Sequence, residues 1–122
     1  MALKDLLGID RSVKPLTREE GMRILERDRY RCQYCGLDGL AHFENSLIMT
    51  VDFVVPRKRQ GTKEEVNLLT ACRPCNVLKG NRKFNDVEEA KTYVLQKRAQ
   101  LRREWDEKAA RFRTNSATEA RG

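Results

Sequence analysis

The chain has 122 residues, of which 39% are hydrophobic and 35% are charged, and its formal net charge is +7. This length allows one small domain with a modest core, which the four cysteines could help to hold together. The basic balance favours a polyanionic partner, most simply nucleic acid, although a basic protein without such a partner would carry the same charge. We expect no signal peptide and no membrane span, and therefore a cytoplasmic protein without a membrane partner.

The first predicted element follows an arm of residues 1–15 that we expect to be loosely attached. Thr17 and Glu20 are spaced as in a capping box, which predicts that a helix begins here and runs to about Arg29. A polar loop over 36–46 should connect this part of the chain to the centre of the domain.

The centre of the domain is predicted to be a hairpin followed by a helix. Residues 47–55 are strongly β-prone and end at Pro56. A basic turn follows, and the next segment should return to the core through Val66, Leu68 and Leu69. A helix should then begin near residue 75 or 76 and end at about Lys83.

A long helix is predicted at the C-terminal end, capped by Asn85 or Asp86 and running to about Phe112. An unbroken helix of this length measures about 40 Å, which is too long to pack entirely on so small a body. Its outer half is open to three interpretations: a homodimer contact, a rod facing nucleic acid, or a frayed end. Residues 114–122 should form a disordered tail.

The four cysteines form two pairs with metal-knuckle spacing, CQYCG at 32–36 and CRPC at 72–75. Two thiolates three residues apart suit a tight turn that directs both at one ion, and four thiolates complete a tetrahedral zinc site. A redox dithiol or two disulfides are the alternatives, but neither pair follows a strand in a βαβ pattern. We therefore predict structural Zn²⁺ at Cys32, Cys35, Cys72 and Cys75.

The segments CQYCG and TVDFVVPRKRQGTKEEVNLLTACRPCNVLKGN resemble the HNH endonuclease family. This resemblance covers about residues 31–83. It implies a small ββα-metal core, similar to a His-Me finger, with a four-cysteine zinc site beside it and a metal-dependent activity on DNA phosphodiester bonds.

The resemblance also implies residue roles. Asp52 and Asn76 correspond to the ligands of a divalent catalytic-type metal, and oxygen donors of this kind suit Mg²⁺ or Mn²⁺. Asn67 corresponds to the Asn that shapes the turn or orients the catalytic His. Phe53 stands at the position of that His, and phenylalanine has no group that accepts a proton.

Loss of the general base should reduce cleavage severely, because this form of catalysis contributes about 10²–10⁴-fold. The single histidine of the chain, His42, precedes the strand and could replace the base only if its loop folds over the site. A surface position for His42 is the simpler interpretation. Glu44, Glu64 and Glu65 are weaker candidates for the same role.

Residues 50–85 carry eight basic and three acidic side chains, which indicates a surface that neutralises phosphates. The predicted contacts to nucleic acid are Arg57, Lys58, Arg59, Lys63, Lys79, Arg82 and Lys83. The expected partner is DNA, with RNA left open. No base-reading motif is evident, so backbone contacts should dominate.

Together these features predict an α+β fold: a zinc-stapled HNH-like domain over 16–85, then a long helix over 86–113. Three functions remain open at this point. The chain is an HNH endonuclease whose activity is weak or lost through Phe53, a zinc-stabilised nucleic-acid-binding module without catalysis, or a zinc scaffold for protein partners.

Overall fold

A computed structural model describes residues 12–121, with side chains through residue 115. The elements in chain order are helix α1 (Arg18–Arg27), helix α2 (Phe43–Leu47), strand β1 (Met49–Phe53), two 3₁₀ turns (Arg57–Arg59 and Glu65–Asn67), strand β2 (Leu68–Cys72), helix α3 (Arg73–Lys79) and helix α4 (Val87–Arg121). The fold is therefore α+β, as predicted. Most of the predicted arm, residues 1–11, lies outside the described residues. Among the described helices, none has the length and apolar character that a membrane crossing requires.

The two strands form an antiparallel hairpin whose register pairs Met49 with Cys72 and Phe53 with Leu68. All five residues of β2 are buried, whereas in β1 only Asp52 is. This hairpin therefore carries the second cysteine knuckle at one end and Phe53 at the other. Further core residues pack around it: Tyr34 of the first knuckle, Val54 just after β1, Phe84 just before α4, and Ala90 and Val94 of α4.

Helix α1 begins with the predicted capping box. The Thr17 hydroxyl accepts from the Glu20 backbone N–H at 3.2 Å, and the Glu20 carboxylate accepts from the Thr17 N–H at 2.8 Å. The helix ends at Arg27, two residues before the predicted end. Arg29 and Tyr30 have φ angles of 54° and 55°, and this left-handed backbone turns the chain into the first knuckle.

Several predicted boundaries around the hairpin were wrong. The loop over 36–46 contains the start of α2, so β1 begins later than predicted. Val66 is 83% exposed and does not return to the core. Helix α3 begins at Arg73, because Pro74 suits the first turn of a helix. It ends at Lys79 and is followed by Gly80, whose φ of 63° few other residues adopt.

Helix α4 is longer than predicted. The Asp86 carboxylate accepts from the Glu89 backbone N–H at 2.8 Å, which confirms the expected cap. The helix continues to Arg121, where a disordered tail was predicted, because no Gly or Pro interrupts residues 87–121. Its 35 residues measure about 52 Å. Among the α4 residues through 115, only Ala90 and Val94 are fully buried, so α4 packs on α3 through its first half and projects beyond it.

Candidate functional site

The four cysteine side chains form one cluster. Their sulfur atoms all lie within 4.8 Å of one another, and the Cys35 and Cys72 sulfurs are 3.7 Å apart. Tetrahedral coordination with Zn–S bonds of 2.3 Å separates sulfurs by about 3.8 Å. All four cysteines are free, so the structure contains neither of the alternative disulfides. Four sulfur donors at these distances fit a metal ion that is coordinated by four thiolates and has no open coordination position.

Local backbone structure aims these sulfurs. Gly36 has a φ of 80°, and its N–H donates to the Cys32 carbonyl at 2.9 Å, which closes the first knuckle. The Cys35 N–H donates to the Cys32 sulfur at 3.4 Å. A hydrogen bond from Cys75 lowers the pKa of the Cys32 thiol to about 4, whereas burial raises the pKa of Cys72 to about 11 and the hydrogen bond to Cys32 raises the pKa of Cys75. A bound divalent ion would favour the thiolate form of all four.

Arg98 of α4 reaches this cluster and was missed in the sequence. Its Nη1 atom lies 3.7 Å from the Cys75 sulfur. A divalent ion bound by four thiolates carries a net charge of about −2. The guanidinium would offset part of this charge, and it links α4 to the cysteine cluster. Its position 23 residues after Cys75, on a helix rich in charges, gave no sequence signal.

A cleft lies between β1, the basic turn and α3, with a volume of about 180 Å³. Its lining residues are Val51, Asp52, Phe53, Pro56, Arg57, Lys58, Asn76, Gly80 and Asn81. The structure thus brings together the two predicted metal ligands, the residue at the base position and two predicted phosphate contacts. A larger groove of about 780 Å³ between α3 and α4 has a mostly apolar lining and no carboxylate. The smaller cleft is therefore the candidate site.

The Asp52 carboxylate is buried in this cleft with two protein partners. The Tyr34 hydroxyl donates to its Oδ2 atom at 2.5 Å, and the Lys79 ammonium lies 3.4 Å from Oδ1. The same ammonium donates to the Phe53 carbonyl at 2.9 Å. Burial raises the pKa of Asp52, partly opposed by Lys79, and burial lowers the pKa of Lys79. The prediction that Lys79 contacts phosphate is corrected here, because its side chain is fully buried in this pair.

Replacing Lys79 by methionine should lower the free energy of unfolding by about 3–5 kcal/mol at neutral pH, since Asp52 would lose its buried counter-charge. A raised pKa means that folded Asp52 holds its proton more tightly than the unfolded chain does. Stability then falls as the pH rises above the unfolded value of 3.8. The loss should therefore be smaller at about pH 4 than at about pH 7.

Urea unfolding at the two pH values measures this effect. The double variant Asp52→Asn/Lys79→Met removes both charges and is the matched control, and it should recover part of the lost stability. An equal loss at both pH values, with no recovery in the double variant, would contradict a buried ion pair.

Asp52 and Asn76 both line the cleft, and carboxylate and amide oxygens suit Mg²⁺ or Mn²⁺ held mainly by water and substrate phosphates. This donor set fits such an ion. The Asp52 Oδ1 atom faces Lys79 across 3.4 Å, so an incoming ion competes with that ammonium. The assignment of these two residues as ligands stays a prediction.

Phe53 is half-buried and lines the cleft. His42 precedes α2 as its N-terminal cap residue, is exposed, and does not line the cleft. Glu44, Glu64 and Glu65 are not among the residues that line the cleft either. Asp52 is therefore the sole carboxylate or imidazole in the lining of this cleft.

Asn67 fastens the loop that joins the two strands. Its side-chain oxygen accepts from the Val55 N–H at 2.8 Å, and its amide donates to the carbonyls of Val55 and Thr62 at 3.1 and 2.9 Å. A Cβ atom on Gly61 would collide with the Val55 carbonyl, so the loop closes tightly at this point. These contacts agree with the turn-shaping role expected of Asn67.

The remaining predicted phosphate contacts differ in their availability. Lys58 is exposed at the cleft, and Arg57 is half-buried with its Nε donating to the Val13 carbonyl at 3.0 Å. Arg59 is exposed and donates to the Asn81 carbonyl at 3.3 Å. Lys63 is paired with Glu20 at 2.9 Å, away from the cleft lining. Arg82 and Lys83 are exposed just after α3.

Comparison with known proteins agrees with this site. Residues 32–82 match the family model described as HNH endonuclease, a segment that runs from the first cysteine through the cleft and α3. No curated protein and no solved structure matches the chain. The matched segment contains all four clustered cysteines. The resemblance to the HNH endonuclease family that the sequence predicted is therefore confirmed as a match over residues 32–82.

Proposed function

We propose that this chain binds nucleic acid, with DNA as the first candidate, at the cleft between β1 and α3. We further propose that it hydrolyses phosphodiester bonds weakly or not at all. One observation carries the proposal: Phe53 lines the cleft at the base position of the HNH pattern, beside Arg57 and Lys58. The cleft therefore offers positive charge for a phosphate but no free side chain to activate water.

Binding would use the charges around the cleft. Arg57 and Lys58 line it, while Arg59, Arg82 and Lys83 are exposed nearby. The chain as a whole carries a formal charge of +7. Contacts of this kind neutralise the phosphate backbone without reading the bases, so we propose weak sequence specificity. RNA presents the same phosphates and remains an alternative ligand.

Hydrolysis would depend on what the remaining cleft residues can do. A divalent ion bound at Asp52 and Asn76 would polarise the phosphate as a Lewis acid. Asn67 fastens the loop that joins the two strands. Phe53 presents a ring that cannot accept a proton from water. Asp52 is held by Tyr34 and Lys79, which leaves its carboxylate poorly placed to act as the base instead.

Binding can be tested by removing the two charges at the cleft. A labelled DNA duplex titrated with protein should show affinity that falls steeply between about 50 and 200 mM salt. The Arg57→Gln/Lys58→Gln variant should bind more weakly, and its slope of log affinity against log salt should be shallower by about 1.8. Fluorescence anisotropy measures both quantities.

The matched control for this variant is Lys108→Gln/Arg111→Gln, which removes the same charge from exposed positions on the outer half of α4. It should bind like the parent. A parent affinity that does not change with salt would refute the nucleic-acid proposal and favour a scaffold for protein partners.

We infer Zn²⁺ as the ion of the cysteine cluster, because a closed set of four thiolates is its usual structural site. The scaffold and homodimer alternatives have one observation in their favour. Leu101, Trp105 and Phe112 on α4 are 47%, 51% and 65% exposed at helical spacing. Concentration-dependent association that persists at high salt would support that use of α4. The cytoplasmic location stays a prediction.

A further inference from the structure

An aromatic side chain flanked by two cations lies on α4 beside the segment that follows α3. The guanidinium carbon of Arg82 is 4.7 Å from the centre of the Tyr93 ring, and the Lys97 ammonium is 5.8 Å from it. Arg82 and Lys97 are exposed, and Tyr93 is half-buried. We call these three residues the Tyr93 ledge.

The ledge has a fixed position because its ring packs on the core. Tyr93 and Phe84 have ring centres 5.4 Å apart, and Phe84 is buried. Both flanking cations lie against the Tyr93 ring, where attraction to its face restrains them without neutralising their charge. The ledge is therefore a preorganised pair of positive charges on the surface of the protein.

The ledge is continuous with the cleft. Asn81 lines the cleft, and its carbonyl accepts the hydrogen bond from Arg59. Arg82 is the next residue, so one Cα–Cα step of about 3.8 Å leads from the cleft wall to the ledge. Arg59 thus contacts the residue before Arg82, and Arg82 shares the Tyr93 ring with Lys97.

Arg82 and Lys97 form no ion pair within the part of the chain that the structure describes. The carboxylate of Glu89, one helical turn before Tyr93, accepts from the Asn85 backbone N–H at 3.0 Å. Residues 82–97 carry four basic and three acidic side chains, an excess of one positive charge.

We propose that the Tyr93 ledge is a second contact surface for nucleic acid, on which Arg82 and Lys97 neutralise phosphates of a strand that continues beyond the cleft. This inference rests on the proposed function and extends it. Tyr93 and Lys97 lie outside the matched segment 32–82, so this use of α4 belongs to the chain's own architecture. Every exposed cation on α4 attracts nucleic acid at long range. Arg82 and Lys97 differ from cations elsewhere on α4 because contacts link them to the cleft.

The Arg82→Gln/Lys97→Gln variant tests the ledge. Loss of two phosphate contacts should make the salt slope for duplex DNA shallower by about 1.8. From 50 to 200 mM salt the parent should then lose about twelvefold more affinity than the variant. The Lys108→Gln/Arg111→Gln variant removes equal charge from the outer half of α4 and should keep the parental slope. Thermal melting of all variants shows whether each one is folded.

The outcomes separate this inference from the function on which it rests. Arg82 is also one of the charges near the cleft, and its loss alone would make the slope shallower by about 0.9. If the ledge variant is no more than about 0.9 shallower than the parent while Arg57→Gln/Lys58→Gln is clearly shallower, the ledge is overturned and the cleft proposal stands. If the ledge and control variants change equally, the effect is overall charge and the ledge is again overturned. If the parent shows no salt-dependent binding, both proposals fail.

Discussion

Replacing Cys72 by serine should abolish the cooperative thermal unfolding transition of this domain, and a strong zinc chelator should do the same to the parent protein. Structural zinc sites contribute about 10–16 kcal/mol of apparent binding free energy at neutral pH in small domains, and this energy becomes folding energy. Few side chains are available to compensate, because apart from cysteine and alanine the buried hydrophobic core of the described residues is small. It consists of Ile24, Tyr34, Val54, Leu68, Leu69, Phe84 and Val94.

The position of Cys72 explains why the effect should be large. Cys72 ends β2, adjoins α3 and is 1% exposed. Its sulfur is 3.7 Å from that of Cys35 in the first knuckle, so the ion joins the hairpin to residues that are distant in sequence. Far-UV circular dichroism during heating measures the transition, and native mass spectrometry counts bound zinc.

Two controls make this result specific. Adding zinc back after the chelator should restore the transition in the parent but not in Cys72→Ser. A substitution at an exposed position of the same hairpin, Val66→Ala, should leave zinc content and melting unchanged. A parent that melts at the same temperature with and without chelator would contradict a structural metal.

Local signals in the sequence predicted the parts of the structure that depend on neighbouring residues. The capping box at Thr17, the cap at Asp86 and both cysteine knuckles involve residues within four positions of one another. Each works by satisfying backbone or metal-binding groups locally, so the motif contains the whole physical cause. Two knuckles that bind one ion must meet in space, and the β-prone run between them therefore indicated a hairpin.

Contacts between distant residues could not be predicted in the same way. Lys79 looked like a phosphate contact because it lies in a basic segment, yet it is buried against Asp52, 27 positions earlier. Arg98 gave no signal in the sequence, yet it reaches the Cys75 sulfur. Whether a charged side chain is buried depends on how the elements pack, and neither charge patterning nor periodicity contains that information.

Substituting histidine for Phe53 should create or strongly increase DNA cleavage, because it returns a proton acceptor to the cleft. General-base catalysis contributes about 10²–10⁴-fold, which sets the expected gain in the cleavage rate. The fold should accept the change, since Phe53 is half-buried at the end of β1, where it pairs with Leu68. The gain should also require a divalent ion and the oxygen donors of Asp52 and Asn76.

Two further variants distinguish the effect of a new general base from a general change in the site. Phe53→Leu alters the ring without supplying a base and should remain at the parental rate. Phe53→His/Asp52→Asn keeps the new imidazole but removes the carboxylate, and it should lose most of the gain. Unchanged DNA affinity in Phe53→His would assign the gain to chemistry instead of binding.

The most direct test of the account is therefore plasmid cleavage by the parent and by Phe53→His, in magnesium or manganese, with a chelator control. The account predicts little or no cleavage by the parent and metal-dependent cleavage by the variant. A parent that cuts as fast as Phe53→His would contradict it, because the cleft would then contain a base other than residue 53.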